Sequence, residues 1–273
     1  MPRVWGDNLE NKKKDIITAK NVVASYRDKV IWRDANFSVK RGEFIGLLGA
    51  NGAGKTTLFR LLLGLSRPKS GKLELFGEQP SRGNARIGYV PQRPYIDRDS
   101  RIETLEYVRL GVSGTRLGFS FGQSSNERQQ AYEALKDVGA VGLAHRSLSE
   151  LSGGELQRIF FAQALVSKPD LLLLDEPLAN LDIRREVELI RLISEVVKKQ
   201  QIAVLLIAHD INPLLPAVDR IIYIANGKVA SGKPSEIVTS QKLSELYDSP
   251  IEVLRGSKGQ LAVLGVEEAL HHE

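Results

Sequence analysis

Cysteine is absent from this 273-residue chain, which excludes disulfides and thiolate metal sites and fits a reducing compartment. No uninterrupted apolar run approaches the roughly 18 residues that a membrane span needs. The strand-like stretch Ile202–Ala208 is far too short for one. Lys12, Lys13 and Lys14 have no apolar stretch behind them, so no secretory leader is visible. Sustained heptads are missing, which argues against a long coiled coil, and no internal repeat is found. There is no aromatic-rich basic block either. The net charge of +5 is spread among acids along the whole chain, so it reads as a solvated surface near an anionic membrane face rather than a nucleic-acid site. What remains is ordinary globular material, 42% hydrophobic and 26% charged, long enough for one large core with a subdomain.

Residues 1–15 read as a polar tail. Ile16 to Phe44 is rich in β-branched and aromatic residues, with turn signals at Tyr26–Lys29 and Lys40–Gly42, which predicts short antiparallel strands. Phe44–Leu48 is a continuous apolar run, as expected of a strand buried on both faces in a parallel sheet. A helix is predicted over Thr56–Leu65, stopped by Ser66-Arg67-Pro68. Leu73–Phe76, Arg86–Val90, Leu171–Leu174, Ile202–Ala208 and Asp219–Ile224 read as further strands. Helical patterns are expected over Asn126–Val138 and Arg184–Lys199. Alternating strands and helices argue an α/β fold with a mainly parallel sheet core and an N-terminal antiparallel β subdomain. The segment from about 93 to 168 reads as an inserted helical subdomain.

Three segments carry the chemistry. Gly49-Ala50-Asn51-Gly52-Ala53-Gly54-Lys55-Thr56 matches G-x-x-x-x-G-K-[ST], between an apolar strand and a helix. Glycines let the backbone turn its N–H groups onto phosphate oxygens, and the following helix adds its positive end. Lys55 would reach the β/γ-phosphates, Thr56 would hold Mg²⁺, and Thr57 follows in the same turn. Asp175 and Glu176 follow four leucines, at the sheet edge where ligands of open α/β sheets gather. Asp175 is the candidate Mg²⁺ anchor and Glu176 the candidate general base for water; alone, two such acids would simply end a strand. Third, Leu151-Ser152-Gly153-Gly154-Glu155 can open a helix with hydroxyl and backbone donors facing an anion. His209 ends the strand Ile202–Ala208 and could orient the water, or be a solvated strand-end histidine. Gln92 follows Arg86–Val90 and could touch Mg²⁺ or the water, or be a loop amide.

In this order and spacing the phosphate loop, Gln92, Leu151–Glu155, Leu171–Glu176, Asp182 and His209 resemble the ATPase subunits of ABC transporters, with the similarity running from about 16 to 247. The resemblance implies a P-loop, RecA-like core binding ATP and Mg²⁺. It implies that Ser152, Gly153, Gly154 and Glu155 complete the site of a second copy in a head-to-tail dimer. Gly49, Asn51, Gly52 and Gly54 would cradle phosphate, and Asp182 would lie across the dimer axis. Tyr26 matches the aromatic that stacks on adenine, and a packing tyrosine on a strand is the other reading. Separate membrane permease subunits, an extracytoplasmic solute-binding protein and a peripheral position on the cytoplasmic face of the cell membrane are implied as well.

The stretch from His209 to Arg220, its helix shortened by two prolines, together with Leu243–Tyr247 and the His271-His272 ending, looks like the ATPases of zinc/manganese importers. Residues 248–273 read as a short C-terminal extension, and the residues after about Ile237 are too few for a large regulatory domain. A siderophore or other small-solute importer shares every catalytic residue. A soluble ABC ATPase of repair or translation would want a coiled coil or a second cassette. An assembly protein without turnover would show a degenerate acid or histidine.

Overall fold

A computed structural model describes residues 15–27, 29–92, 101–113, 124–179, 181–257 and 259–265. Most of the polar tail, residues 93–100 and 114–123 of the expected insertion, Asn180, His271 and His272 lie outside the described residues.

Strands β1 (Asp15–Tyr26), β2 (Lys29–Lys40) and, later in the chain, β4 (Ser70–Leu75) form an antiparallel sheet in the order β2-β1-β4. The main sheet has the order β5-β6-β7-β3-β8-β9. In it β3 (Phe44–Leu48), β5 (Ile87–Val90), β6 (Leu171–Asp175), β7 (Ala203–Ile207) and β8 (Arg220–Ala225) run parallel, and β9 (Lys228–Gly232) closes one edge antiparallel. Every residue of β3, β6 and β7 is buried, which is why they read as unbroken apolar runs.

Because side chains alternate along a strand, each such run feeds two cores. Leu171 and Leu173 join Ile45, Leu47, Leu205 and Ile207 under the antiparallel sheet, where helix α1 (Lys55–Leu62) inserts Leu58, Phe59, Leu61 and Leu62. Leu172 and Leu174 point the other way, with Val204 and Leu206, onto helices α2 (Thr104–Ser113), α3 (Ser124–Asp137), α4 (Gly153–Leu165) and α5 (Ile183–Gln200). The expected apolar face of α3 is there, with Ala131 and Leu135 fully buried and Val138 just beyond it.

Helix α1 is shorter than the predicted Thr56–Leu65. Gly64 turns left-handed at φ 66°, and a Cβ there would lie 2.5 Å from the Ser81 carbonyl carbon, so close packing ends the helix before Pro68 is reached.

A second close approach ties α4 to the sheet. A Cβ on Gly88 of β5 would stand 2.2 Å from the Ala164 carbonyl oxygen. Gly88→Ala should therefore destabilise the protein by about 2 kcal/mol or more, since backbone on both sides must move. The denaturation midpoint measures this; an unchanged midpoint would show that the helix shifts freely.

The C-terminal part holds α6 (Pro234–Ile237) and α7 (Ser240–Tyr247), then a hairpin of β10 (Ile251–Arg255) and β11 (Leu261–Gly265). Sequence patterning gave no sign of this hairpin. Two serines of α7 fasten it: Ser240 Oγ accepts from the Val253 N–H at 2.9 Å and Ser244 Oγ from the Ile251 N–H at 2.8 Å. No described helix is long and apolar enough to cross a membrane.

Candidate functional site

The glycines of the phosphate loop divide by cause. Gly49 (φ 140°) and Gly54 (φ 104°) are demanded by the fold, because a Cβ would lie 2.1 Å from the Ile224 carbonyl oxygen and 2.4 Å from Ile31 Cγ2 respectively. Gly52 (φ 78°) faces open space, where its freedom serves the loop's own turn. Trp32 steadies the loop from the antiparallel sheet, its indole N–H donating to the Gly54 carbonyl at 3.3 Å. Lys55 curls back inside the loop and donates to the Gly49 and Ala50 carbonyls at 2.6 and 3.0 Å. Burial lowers its pKa, while Glu176 and Asp175 pull it upward. Thr56 is exposed and Thr57 half-buried in the first turn of α1, which carries no acid to compete with a phosphate.

Parallel register brings the acids to this loop. Val90 pairs with Leu174 and Leu174 with Leu206, so the chain leaves β5, β6 and β7 at one level. Gln92, Glu176 and His209 follow within three residues, and the structure joins them. Glu176 Oε2 accepts a short hydrogen bond from Gln92 Nε2 and lies 2.9 Å from His209 Nε2. Glu176 itself sits at φ 51°, a left-handed conformation uncommon outside glycine that turns its carboxylate toward the other two. Asp175 is buried, and desolvation together with the charge of Glu176 pushes its pKa up to about 6. Tyr89 hydrogen-bonds to Asp175; burial and that carboxylate raise the tyrosine to about 12.

Ser152 N-caps α4 in a reciprocal capping box. The Ser152 N–H and Oγ–H both donate to Glu155 Oε2 at 2.8 Å, and the Glu155 N–H returns a bond to Ser152 Oγ at 3.4 Å. The Ser152 N–H and hydroxyl hold the Glu155 pKa below its ordinary value, so its carboxylate shapes the helix start instead of facing outward. Ser152 and Gly153 are exposed. A Cβ on Gly153 would meet nothing within 4 Å and one on Gly154 only Arg185 Cδ at 3.6 Å, so internal packing does not require either glycine. Asp182 caps α5 by accepting from the Arg185 N–H at 3.0 Å. A cleft of about 380 Å³ separates the two helix starts, lined by Ser152, Gly154, Arg158, Leu181 and Arg185 among others. Tyr26 ends β1 half exposed, with the guanidinium groups of Arg27 and Arg60 at 5.7 and 5.9 Å from its ring centre.

The ABC transporter family profile matches residues 32–179, from the antiparallel hairpin past the acid pair. The chain belongs to the ABC transporter family. It is 34% identical to the zinc import ATP-binding protein ZnuC of Pseudomonas aeruginosa, across 85% of this chain and 80% of that one. The manganese transport system ATP-binding protein MntB of Bacillus subtilis is also 34% identical, across 86% and 93%. Among solved structures, an inward-facing ABC transporter described as of metal-chelate type superposes with a TM-score of 0.79 at 27% identity, covering 93% of this chain and all of the other. A dimeric bacterial ABC transporter cassette gives 0.66 at 27% identity, covering 80% and 98%. The chain is thus an ABC-type ATPase whose site binds nucleotide, in a family of cassettes that dimerise and serve membrane permeases.

The cassette's oxygen donors suit a hard cation shared with phosphate: the Thr56 hydroxyl, the Gln92 amide and a buried Asp175 carboxyl whose raised pKa an added positive charge would reverse. Among the described residues no group of three His, Cys, Asp or Glu could hold a metal alone, so bound nucleotide would have to share the coordination. A pH dependence follows. Below about 6 a proton on Asp175 would compete with any cation held there, so Mg²⁺-dependent nucleotide affinity should rise with pH through that value. Titrating affinity against pH checks this, and Asp175→Asn should flatten the curve. In the free protein the sign is opposite. A carboxyl raised above its unfolded value adds stability at acid pH that is lost as pH climbs through about 6.

Sequence reasoning missed Tyr89 and Arg60. Tyr89 carried a usable signal, three residues before Gln92 on a strand. Arg60 had none, since only the packing of β1 beside α1 brings it to Tyr26.

Proposed function

We propose that this cassette hydrolyses ATP to drive an importer of divalent metal ions, docked on membrane permease subunits at the cytoplasmic face and fed by an extracytoplasmic solute-binding protein. The observation that supports hydrolysis is the meeting of Gln92 and His209 on one oxygen of Glu176. With Oε2 held, Oε1 would take a proton from water as the water attacks the γ-phosphorus and ADP departs. Gln92 and His209 fix the carboxylate's orientation, and Lys55 with the loop N–H groups carries the negative charge of the β/γ-phosphates. Thr56, Asp175 and Gln92 would hold Mg²⁺, which when bound would supply positive charge to offset that of the phosphates. Tyr26, with Arg60 beside it, receives the adenine.

The signature glycines support a head-to-tail dimer. Among the described residues nothing needs them bare, whereas a phosphate arriving from a second copy would. Gly49, Asn51, Gly52 and Gly54 would hold that phosphate on one side, and Ser152, Gly153 and Gly154 on the other. Asp182 would sit near the axis, and Glu155 acts by holding Ser152.

Zinc or manganese as cargo rests on the names of the relatives. The metal-chelate type transporter, matched over its whole chain, favours a second reading in which the ion travels as a chelate. Cells lacking the cassette should lose zinc or manganese when supplied as free ions. Loss confined to chelated metal would support the second reading, and unchanged metal content would refute both.

A further inference from the structure

The turn that carries His209 is held from outside the nucleotide site, by the C-terminal hairpin. Asn212, three residues on, is the connector. Its Oδ1 accepts from the Leu261 N–H at 2.7 Å and its Nδ2 donates to the Leu261 carbonyl at 2.9 Å, a two-way clip that imitates one rung of a β-ladder. The second Nδ2 hydrogen goes to Asp210 Oδ1 at 2.8 Å, and the Asn212 backbone N–H meets that same oxygen at 2.9 Å. Both amide hydrogens and the amide oxygen are therefore engaged, toward the hairpin and toward the residue next to His209. Leu261 itself is buried, in the same core as Ile211 and Leu246, and the two serines of α7 anchor the other strand.

We infer that Asn212 is a positioning residue for hydrolysis, through which the C-terminal hairpin sets where His209 meets Glu176. This rests on the reading of His209 given above. His209 is exposed and tied to Glu176 through its ring nitrogen at 2.9 Å, so its placement depends on the backbone of its turn. Two prolines and a run of turns follow it in place of a regular helix; the Leu214 and Leu215 N–H groups close that turn on the Ile211 carbonyl, and Asn212 adds its tie to the hairpin. A force or partner acting on β11 would reach the reacting carboxylate through Asn212, beside a cleft that Leu261 and Val263 share with Gly49, Ala50, Asn51 and His209.

The test is steady-state ATP hydrolysis by the full chain. Asn212→Ala should lower kcat by about 10- to 100-fold, as expected when a reacting group drifts by up to an ångström, with KM for ATP within a factor of about two. The isosteric Asn212→Asp keeps the acceptor for the Leu261 N–H but turns both Nδ2 donors into an oxygen that repels the Asp210 carboxylate and the Leu261 carbonyl, so it should show the same kcat loss, with a thermal melt checking that the fold is kept. In a His209→Gln background, Asn212→Asp should cost no more than a further factor of about two, since it acts through the histidine. Undiminished kcat in Asn212→Asp, an equal rise in KM, or a full additional loss on top of His209→Gln would overturn the inference. Wild-type turnover by His209→Gln would instead sink the role of the histidine, and the inference with it.

Discussion

Glu176→Gln should abolish steady-state ATP hydrolysis, lowering kcat by about 10²- to 10³-fold, while ATP binding persists and a dimer accumulates with nucleotide trapped between its halves. The size follows from what is removed, a general base, since base catalysis supplies about 10²–10⁴. Binding survives because Glu176 is not part of the cradle: Lys55, the loop N–H groups and the Asp175 carboxyl are untouched. Glutamine is close in volume, and its Oε1 or Nε2 can still meet Gln92 and His209, so the left-handed backbone at φ 51° need not move. Phosphate release measures the first effect, and size-exclusion chromatography in ATP the second. Turnover within a factor of about three of wild type would remove Glu176 from the chemistry.

The second large effect concerns Ser152→Arg. Its bulk and charge would fill the place where the partner's γ-phosphate is proposed to sit, and loss of the cap would weaken α4 by about 1 kcal/mol. Hydrolysis should fall by about 10²-fold or more, as when an anion-binding donor is lost. The deciding experiment mixes chains. Ser152→Arg and Glu176→Gln are each inactive alone, but a mixed dimer of the two would hold one site with both residues intact. Mixing should therefore restore turnover. If each chain instead used its own serine, both sites of the mixed dimer would carry a defect and no activity would return. A thermal melt of Ser152→Arg separates the cap's contribution from the site's.

Much of this protein was legible before any coordinates. The runs Phe44–Leu48, Leu171–Leu174 and Ile202–Ala208 announce doubly buried strands because only parallel central strands need apolar side chains on both faces. The phosphate loop is legible because its glycines and Lys55 keep a fixed spacing, although the packing that demands Gly49 and Gly54 shows only in the structure. The edge strand β9, the left-handed stop of α1 at Gly64 and the C-terminal hairpin were not. Val229 to Gly232 lacks clean alternation, and Leu261 is buried only because Asn212 and α7 receive it.

By itself, the sequence determined the order of the parallel strands β3, β5, β6, β7 and β8 along the chain, the phosphate loop and the residue types able to hold ATP, because local spacing and burial pattern encode these directly. It could not determine whether Gln92 and His209 touch Glu176, why Asp175 holds its proton to about 6, which glycines are free of internal demands, or that Asn212 clips Leu261. Those depend on groups 33 to 84 residues apart or on burial from several elements at once. Only the register of parallel strands and the packing of both cores bring such groups within reach of one another.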